Sequence, residues 1–260
     1  MSNEDVLLSA TEDGICTLTI NRPARRNALT SEVFARLRDA LRSADQDGQT
    51  RVAVLRGAGE LAFSAGYEIG QLPTSGQFGT EDPMEDIVSA LESVRFPVIA
   101  MIHGYCVAAG LGIAVACDLR FASDGARLGV TPAKLGVVYP PSSMLRFINV
   151  IGVPATKELF YTGRLVDAAR ARELGLVNHV MPAEKLASYT YGVAREIADN
   201  APLSVEGTKV TISKLLDYQR VDPSAKEELI ALQKRAASSD DLKEGQRAFA
   251  EKRRPVFRGR

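Results

Sequence analysis

Two histidines and three cysteines leave this chain poor in the side chains that build metal centres and many acid–base centres. His103 and His179 stand far apart, in no H-x-x-H or H-E-x-x-H spacing, and no cysteine pair accompanies them, so no metal site is expected. There is no G-x-S-x-G elbow. Neither G-x-x-x-x-G-K-S/T nor G-x-G-x-x-G carries a strand into a helix, so nucleotide hydrolysis and dinucleotide redox chemistry lack their usual signals. Neither charge is in excess: 32 Lys and Arg balance 32 Asp and Glu, and no overall field draws the chain to nucleic acid or an anionic membrane. No basic stripe interleaved with aromatics suggests RNA. No apolar run approaches the length that crosses a bilayer, and the opening Met1-Ser2-Asn3-Glu4-Asp5 has neither a basic nor an apolar leader region; a cytoplasmic protein is the expectation. Cys16, Cys106 and Cys117 are odd in number, lie in apolar surroundings and form no C-x-x-C, which reads as buried thiols in a reducing compartment.

With 260 residues, 45% of them hydrophobic, the chain can bury one large core, with or without an appendage. Gly14 to Ile20 runs as a strand, and Val33, Phe34, Leu37, Ala40, Leu41 and Ala44 recur at helical spacing after Thr30-Ser31. Val52 to Leu55 and Val98 to Ile102 are short buried-type strands, with a helix from Met84 to Val94 between them. The alternation predicts an α/β fold. From Pro140 onward helices dominate, at about 142–150, 154–162, 167–174 and 184–198, with a short apolar stretch from Val177 to Val180 among them. After Asn200 three more follow, one from Pro202, one from Pro223 to Ala237 and one from Asp240 or Asp241. The expected division is therefore a core over 1–200 and a helical region over 201–260. No internal repeat is evident. Leu72 to Pro83, with Gly76, Gly79 and two prolines, reads as the most mobile loop. The basic ending, Glu251 to Arg260, reads either as a solvated tail or as a phosphate-contacting terminus.

Two small-residue turns stand out: Phe63-Ser64-Ala65-Gly66-Tyr67-Glu68-Ile69, and His103-Gly104-Tyr105-Cys106-Val107-Ala108-Ala109-Gly110-Leu111-Gly112. Each follows an apolar run, and few side chains screen its backbone N–H groups from a ligand. Two such donors aimed at one oxygen form an oxyanion hole; the same residues also suit close packing at a helix start. His103, at a strand end, reads as satisfying local backbone rather than performing chemistry.

These turns, together with Asn21-Arg22-Pro23, Asn27-Ala28-Leu29 and Cys117-Asp118, resemble in content and order the crotonase superfamily, also called enoyl-CoA hydratase/isomerase. Tyr161-Thr162-Gly163, Ala168 to Arg172 and Glu173 to Asn178 extend the resemblance over nearly the whole chain. It implies an α/β spiral of ββα turns with a C-terminal helical region that builds homotrimers or dimers of trimers. It implies an acyl-CoA thioester as ligand and no cofactor beyond the CoA of the substrate. The family's two oxyanion donors carry over to the backbone N–H groups of Tyr67 and Ala109, and the segment Ala65, Gly66, Tyr67, Glu68 and Ile69 to contacts around the adenine and thioester. Arg22, Arg25 and Arg26 are candidates for the CoA phosphates, with Arg25 preferred; a solvated face is the other reading. Ala28 corresponds to a backbone contact on the cofactor arm, and Lys252, in a likeness to the family's decarboxylases, to a basic C-terminal contact with CoA.

The chain departs from the hydratases of that family where they carry their two glutamates. Gly112 and Pro132 stand at those positions, and neither can transfer a proton. Instead, Thr131-Pro132-Ala133-Lys134-Leu135-Gly136-Val137-Val138-Tyr139 resembles the T-P-x-x-L-G-V-x-Y segment of bacterial methylmalonyl-CoA decarboxylases. Lys157 to Phe160, Asn178-His179-Val180, Ala201-Pro202-Leu203 and Ala248 to Phe257 extend that likeness, although the subfamily has histidine where this chain has Tyr67. Tyr139 becomes the candidate for orienting a substrate carboxylate or supporting protonation, and Thr131 for a nearby hydrogen bond; their other readings are a packed aromatic before Pro140-Pro141 and a helix cap. Three functions follow in order of preference. The first is decarboxylation of methylmalonyl-CoA or a related malonyl-type thioester. The second is hydration or isomerisation with Glu68, Glu92 or Asp86 as substitute acids, and the third a non-catalytic CoA-binding or RNA-binding role.

Overall fold

The computed structural model describes residues 6–68, 83–217 and 223–258. The chain runs β1 (Leu7–Glu12), β2 (Ile15–Ile20), α1 (Ser31–Gln46), β3 (Val52–Gly57), β4 (Ala62–Ser64) and α2 (Pro83–Ser93). It continues through β5 (Val98–Ile102), β6 (Tyr105–Val107), α3 (Ala109–Ala116), β7 (Leu119–Ser123) and β8 (Arg127–Gly129). A helical half follows, α4 (Pro141–Thr162), β9 (Val166–Asp167), α5 (Ala168–Glu173), β10 (His179–Met181), α6 (Ala183–Asp199), α7 (Pro202–Asp217), α8 (Pro223–Ala237) and α9 (Asp240–Ala250).

Side chains at alternate positions make the central strands a partition between two cores. In β3, Ala53 and Leu55 face α1, α2 and α3, while Val52 and Val54 face α6; in β5, Val98, Ala100 and Ile102 oppose Ile99 and Met101 in the same way. Strands covered on both faces read as unbroken apolar runs, as these do. They belong to a six-stranded sheet of order β1-β2-β3-β5-β7-β10, antiparallel only between β1 and β2. A second sheet has the order β4-β6-β8-β9. The pairs β3-β4, β5-β6 and β7-β8 each send their first strand to the large sheet and their second to the small one, and the first two return through α2 and α3. This is the ββα spiral.

Thr30 caps α1 by accepting the Val33 N–H, so the helix starts where Thr30-Ser31 indicates. The two helices expected over 142–150 and 154–162 are the halves of α4, broken at Gly152 (φ 72, ψ 168) just before Pro154. The apolar stretch from Val177 forms a strand only at His179–Met181, because Asn178 exchanges hydrogen bonds with Arg120 and starts the pairing with β7. The expected loop over 72–83 lies outside the described residues, except Pro83, which opens α2.

Two buried cations tie the parts together. Arg120 donates from Nε to the Leu176 carbonyl at 3.0 Å and from Nη1 to the Cys117 carbonyl at 2.6 Å, closing the C-terminal end of α3. Lys209 of α7 donates to the carbonyls of Leu91 and Phe96 at 2.9 Å and to Asp118 at 3.0 Å, and Asp118 also accepts the Val98 N–H. Among the described residues no helix is long and apolar enough to cross a membrane.

All three cysteines are buried and free, and burial pushes their thiols up, Cys117 from 9.0 to about 12. The unfolded chain releases such protons near the ordinary value while the folded chain retains them, so stability present below pH 9.0 is lost as pH rises towards about 12. Iodoacetamide at pH 8 is expected to modify none of the three in the native protein and all of them in guanidinium, as read by intact mass.

Candidate active site

Parallel strands that are neighbours in a sheet end on the same side, and three of them set this site. β4, β6 and β8 pair in parallel, with Ser64 beside Cys106 and Val107 beside Gly129. The segments that leave their C-terminal ends carry Tyr67, Ala109 and Thr131 respectively. Residues 42 and 22 positions apart in sequence are thus brought to one edge by strand pairing.

The backbone there exposes two donors. Leu29 donates to the Gly66 carbonyl and Glu68 donates to the Leu29 carbonyl, an isolated parallel bridge that turns the Tyr67 N–H to the other side. Ala109 is the first residue of α3, so its N–H has no intrahelical acceptor. Among the described residues neither N–H meets an acceptor. The turns that bear them touch: Gly66 has φ +91, and a Cβ there would lie 2.8 Å from the Val107 carbonyl oxygen and 3.3 Å from the Ala109 nitrogen. Ala108, immediately before the second donor, holds φ 52 and ψ −122, a conformation that costs a non-glycine residue about 1–3 kcal/mol.

Asn27 anchors the first turn. Fully buried at φ 54, it donates from Nδ2 to the carbonyls of Ala58 and Ala62 and accepts the Arg22 N–H on Oδ1. Its carbonyl accepts the Ser64 hydroxyl at 2.8 Å, and Ser64 Oγ in turn accepts the Gly66 N–H at 3.2 Å. Arg22 pairs with Glu68 at 2.8 Å and donates to the Ala28 carbonyl at 2.6 Å.

The donors flank a cavity of about 730 Å³ whose wall includes Ala65, Tyr67, Ala109, Gly112, Thr131 and Tyr139. Most of the wall is apolar, with Val107, Leu135, Val137, Val138 and Leu165 contributing, and among the described residues neither a carboxylate nor an imidazole lines it. A Cβ on Gly112 would meet only the Met84 methyl, at 2.7 Å, so a thioether occupies the ground beside this glycine. The Tyr139 ring packs edge-on against Phe160 at 5.3 Å, which satisfies the reading of a packed aromatic, yet its hydroxyl has no partner among the described residues. Burial pushes the phenol up, so it remains protonated and able to donate. The Thr131 side chain makes no capping bond to the short 3₁₀ turn Pro132–Lys134 that follows it.

Not every expected residue reaches this cavity. Arg25 is exposed and Arg26 lines the wall instead; Arg22 is turned inward to Glu68. Ala28 and Gly66 shape the first turn from behind, and Glu68 is held by Arg22. Ile69 lies outside the described residues. Lys252 is exposed at φ 53, and the C-terminal segment contributes Arg253, Arg254 and Pro255 to the wall. Of the substitute acids, Glu92 bonds to Arg146 and Asp86 lies by Arg38, both away from the donors. His103 is also absent from the wall, its Nε2 buried without a partner and its pKa lowered by that burial. Ser64, Ala108 and Met84 carry no chemical signal in sequence; only the small-residue turns around the first two hint at their roles. A larger cavity, about 920 Å³, lies at the other end of α3 between α4 and α7, away from both donors.

The family model for enoyl-CoA hydratase/isomerase matches residues 10–260. A Thermus thermophilus protein whose name carries enoyl-CoA hydratase as a provisional activity is 36% identical over 250 residues, 94% of this chain and 97% of that protein. A crystal structure of methylmalonyl-CoA decarboxylase complexed with 2S-carboxypropyl-CoA aligns over 100% of both chains at 28% identity, with a TM-score of 0.93. An enoyl-CoA hydratase/carnitine racemase from Magnetospirillum magneticum is 32% identical over 99% of this chain and 97% of its own, with a TM-score of 0.79.

Glu244 of α9 accepts Arg253 and the Val256 N–H, and these bonds hold its carboxyl down to about 2. A lowered carboxyl stabilises above its ordinary pKa of 4.5 and loses that contribution as pH falls towards about 2. Glu244→Gln is expected to detach the segment bearing Arg254 and Pro255 at neutral pH, seen as faster amide exchange and tryptic cleavage there, with α1 to α6 unchanged.

Proposed function

Because this chain belongs to the enoyl-CoA hydratase/isomerase family of crotonase-type acyl-CoA enzymes, and its two paired donors face a wall without a carboxylate among the described residues, we propose that it decarboxylates methylmalonyl-CoA or a related malonyl-type thioester. The lack of a carboxylate in the described wall carries the reading. Adding water across a double bond needs a base and an acid, whereas a malonyl-type thioester brings its own electron pair. The bond from Cα to the free carboxylate breaks, carbon dioxide leaves, and the electron pair forms an enolate whose charge rests on the thioester oxygen. The N–H groups of Tyr67 and Ala109 stabilise that oxygen, each by about 3 kcal/mol in such sites. The apolar wall favours loss of the anionic carboxylate, and a proton from water then reaches Cα. No cofactor is required.

Tyr139 acts here as a hydrogen-bond donor to the departing carboxylate, because a phenol with a raised pKa is a reluctant acid. Thr131 hydrogen-bonds beside it. Arg26, Lys134 and Arg254 give the cavity mouth a positive character that suits the phosphates of CoA, and they take the part expected of Arg25 and Lys252. The backbone likeness to the decarboxylase, TM-score 0.93, supports the same reading. The second reading is an enoyl-CoA hydratase or isomerase, favoured by the 36% identity to the Thermus thermophilus protein and requiring an acid brought from outside the described wall.

Incubation with malonyl-type and enoyl thioesters, followed by mass spectrometry, separates the two. Loss of carbon dioxide from methylmalonyl-CoA is expected, and efficient hydration of crotonyl-CoA without decarboxylation would overturn the proposal. Tyr139→Phe is expected to lower kcat about tenfold to a hundredfold with KM little changed, in line with loss of one positioned donor. Self-association as a trimer or dimer of trimers belongs to the same proposal, supported by apolar side chains left bare on α7, Leu203 at 82% and Leu215 at 64% exposure. Light scattering is expected to give three or six times the 28.0 kDa chain mass; a monomer would refute it.

A further inference from the structure

The two donors lie on separate segments, so something must fix the spacing between them. Beside the direct approach of Gly66 to the second turn, Ser64 touches both segments with its side chain. It ends β4, is fully buried, and hydrogen-bonds within the first turn, accepting the Gly66 N–H at 3.2 Å and donating to the Asn27 carbonyl at 2.8 Å. Its other flank meets the second turn. A Cβ on Gly110, the residue after the second donor, would fall 2.7 Å from Ser64 Cβ, 2.8 Å from its carbonyl oxygen and 2.9 Å from its Oγ. The start of α3 therefore rests directly on Ser64, with no side chain between.

We propose that Ser64 is a positioning residue that sets the separation and aim of the Tyr67 and Ala109 N–H groups. This rests on reading those groups as donors to a thioester oxygen. Two donors serve one oxygen only when both lie within hydrogen-bond reach of the same point, and an error of about 1 Å can cost about a hundredfold in rate. Ser64 controls both sides of that requirement. Its hydroxyl locks the Ala65–Gly66 peptide, next to the peptide that carries the Tyr67 N–H, and its Cβ supplies the floor on which Gly110 sits. Alanine keeps the floor and removes the lock; cysteine keeps the floor and replaces the lock with a longer, weaker one.

A dimethylaminocinnamoyl thioester of CoA tests this, since its absorption moves to longer wavelength when its carbonyl is polarised. The wild-type protein is expected to produce that shift. Folded Ser64→Ala is expected to lose at least half of it and to show kcat lowered about 10- to 100-fold, with KM within about threefold. Ser64→Cys is expected to recover part of both, a graded response that loss of packing alone would not give. A folded Ser64→Ala with the full wild-type shift and unchanged kcat overturns the positioning role. Should the alanine variant not fold, Ser64→Cys decides: a full shift and unchanged kcat overturn the role, an intermediate shift supports it. Absence of any shift in the wild type overturns the oxyanion reading itself, and the role of Ser64 with it. The absorbance comparison is independent of whether the enzyme releases carbon dioxide, so failure of the decarboxylase proposal leaves a distinct signature.

Discussion

A backbone N–H held away from any protein acceptor is unfavourable, so a fold that presents two of them side by side to a cavity must fix them by other means. Here the fixing begins with parallel pairing. β4 and β6 are hydrogen-bonded neighbours, and the turns that leave them inherit that adjacency. Asn27 then satisfies the carbonyls of Ala58 and Ala62, and the Ser64 hydroxyl bridges the Asn27 carbonyl to the Gly66 N–H. These bonds satisfy the polar groups that hold the first turn and leave the Tyr67 and Ala109 N–H groups without an acceptor among the described residues. The strained Ala108 belongs to the same arrangement, held at positive φ by a helix packed on one side and a sheet edge on the other.

Much of the fold was legible because its central strands are covered on both faces. Val52 to Leu55 and Val98 to Ile102 read as strands for that reason, and the helices from α4 onward show their periodicity and their Pro and Asp starts. What was hidden is the other sheet. β4, β6 and β8 have three residues each, too few for an alternation to register, and β1 is a largely exposed edge with polar residues among its apolar ones. Since the repeat is one of ββα geometry and not of residue identity, three turns of the spiral left no visible period in the sequence.

The site divides along similar lines. Tyr67, Ala109, Thr131 and Tyr139 line one cavity, as their motifs led one to expect, because motif spacing reflects the strand ends that carry them. Arg25 and Lys252 are a different case: a long basic side chain on a turn can point either way, and their neighbours Arg26, Arg253 and Arg254 reach the wall instead. Ser64 and Met84 act through contacts across 46 and 28 residues of chain, to Gly110 and Gly112, which no local pattern reveals.

Arg120 has a consequence for the polarity of the cavity at the start of α3. Its guanidinium sits on the carbonyls at the C-terminal end of α3, where the helix carries about half a negative charge. With that pole neutralised, the eight-residue helix presents its positive pole to the cavity with little opposing field behind it. The charge offered by a peptide dipole cannot be protonated or removed. The positive polarity that the start of α3 lends this end of the cavity is therefore set by no titrating group.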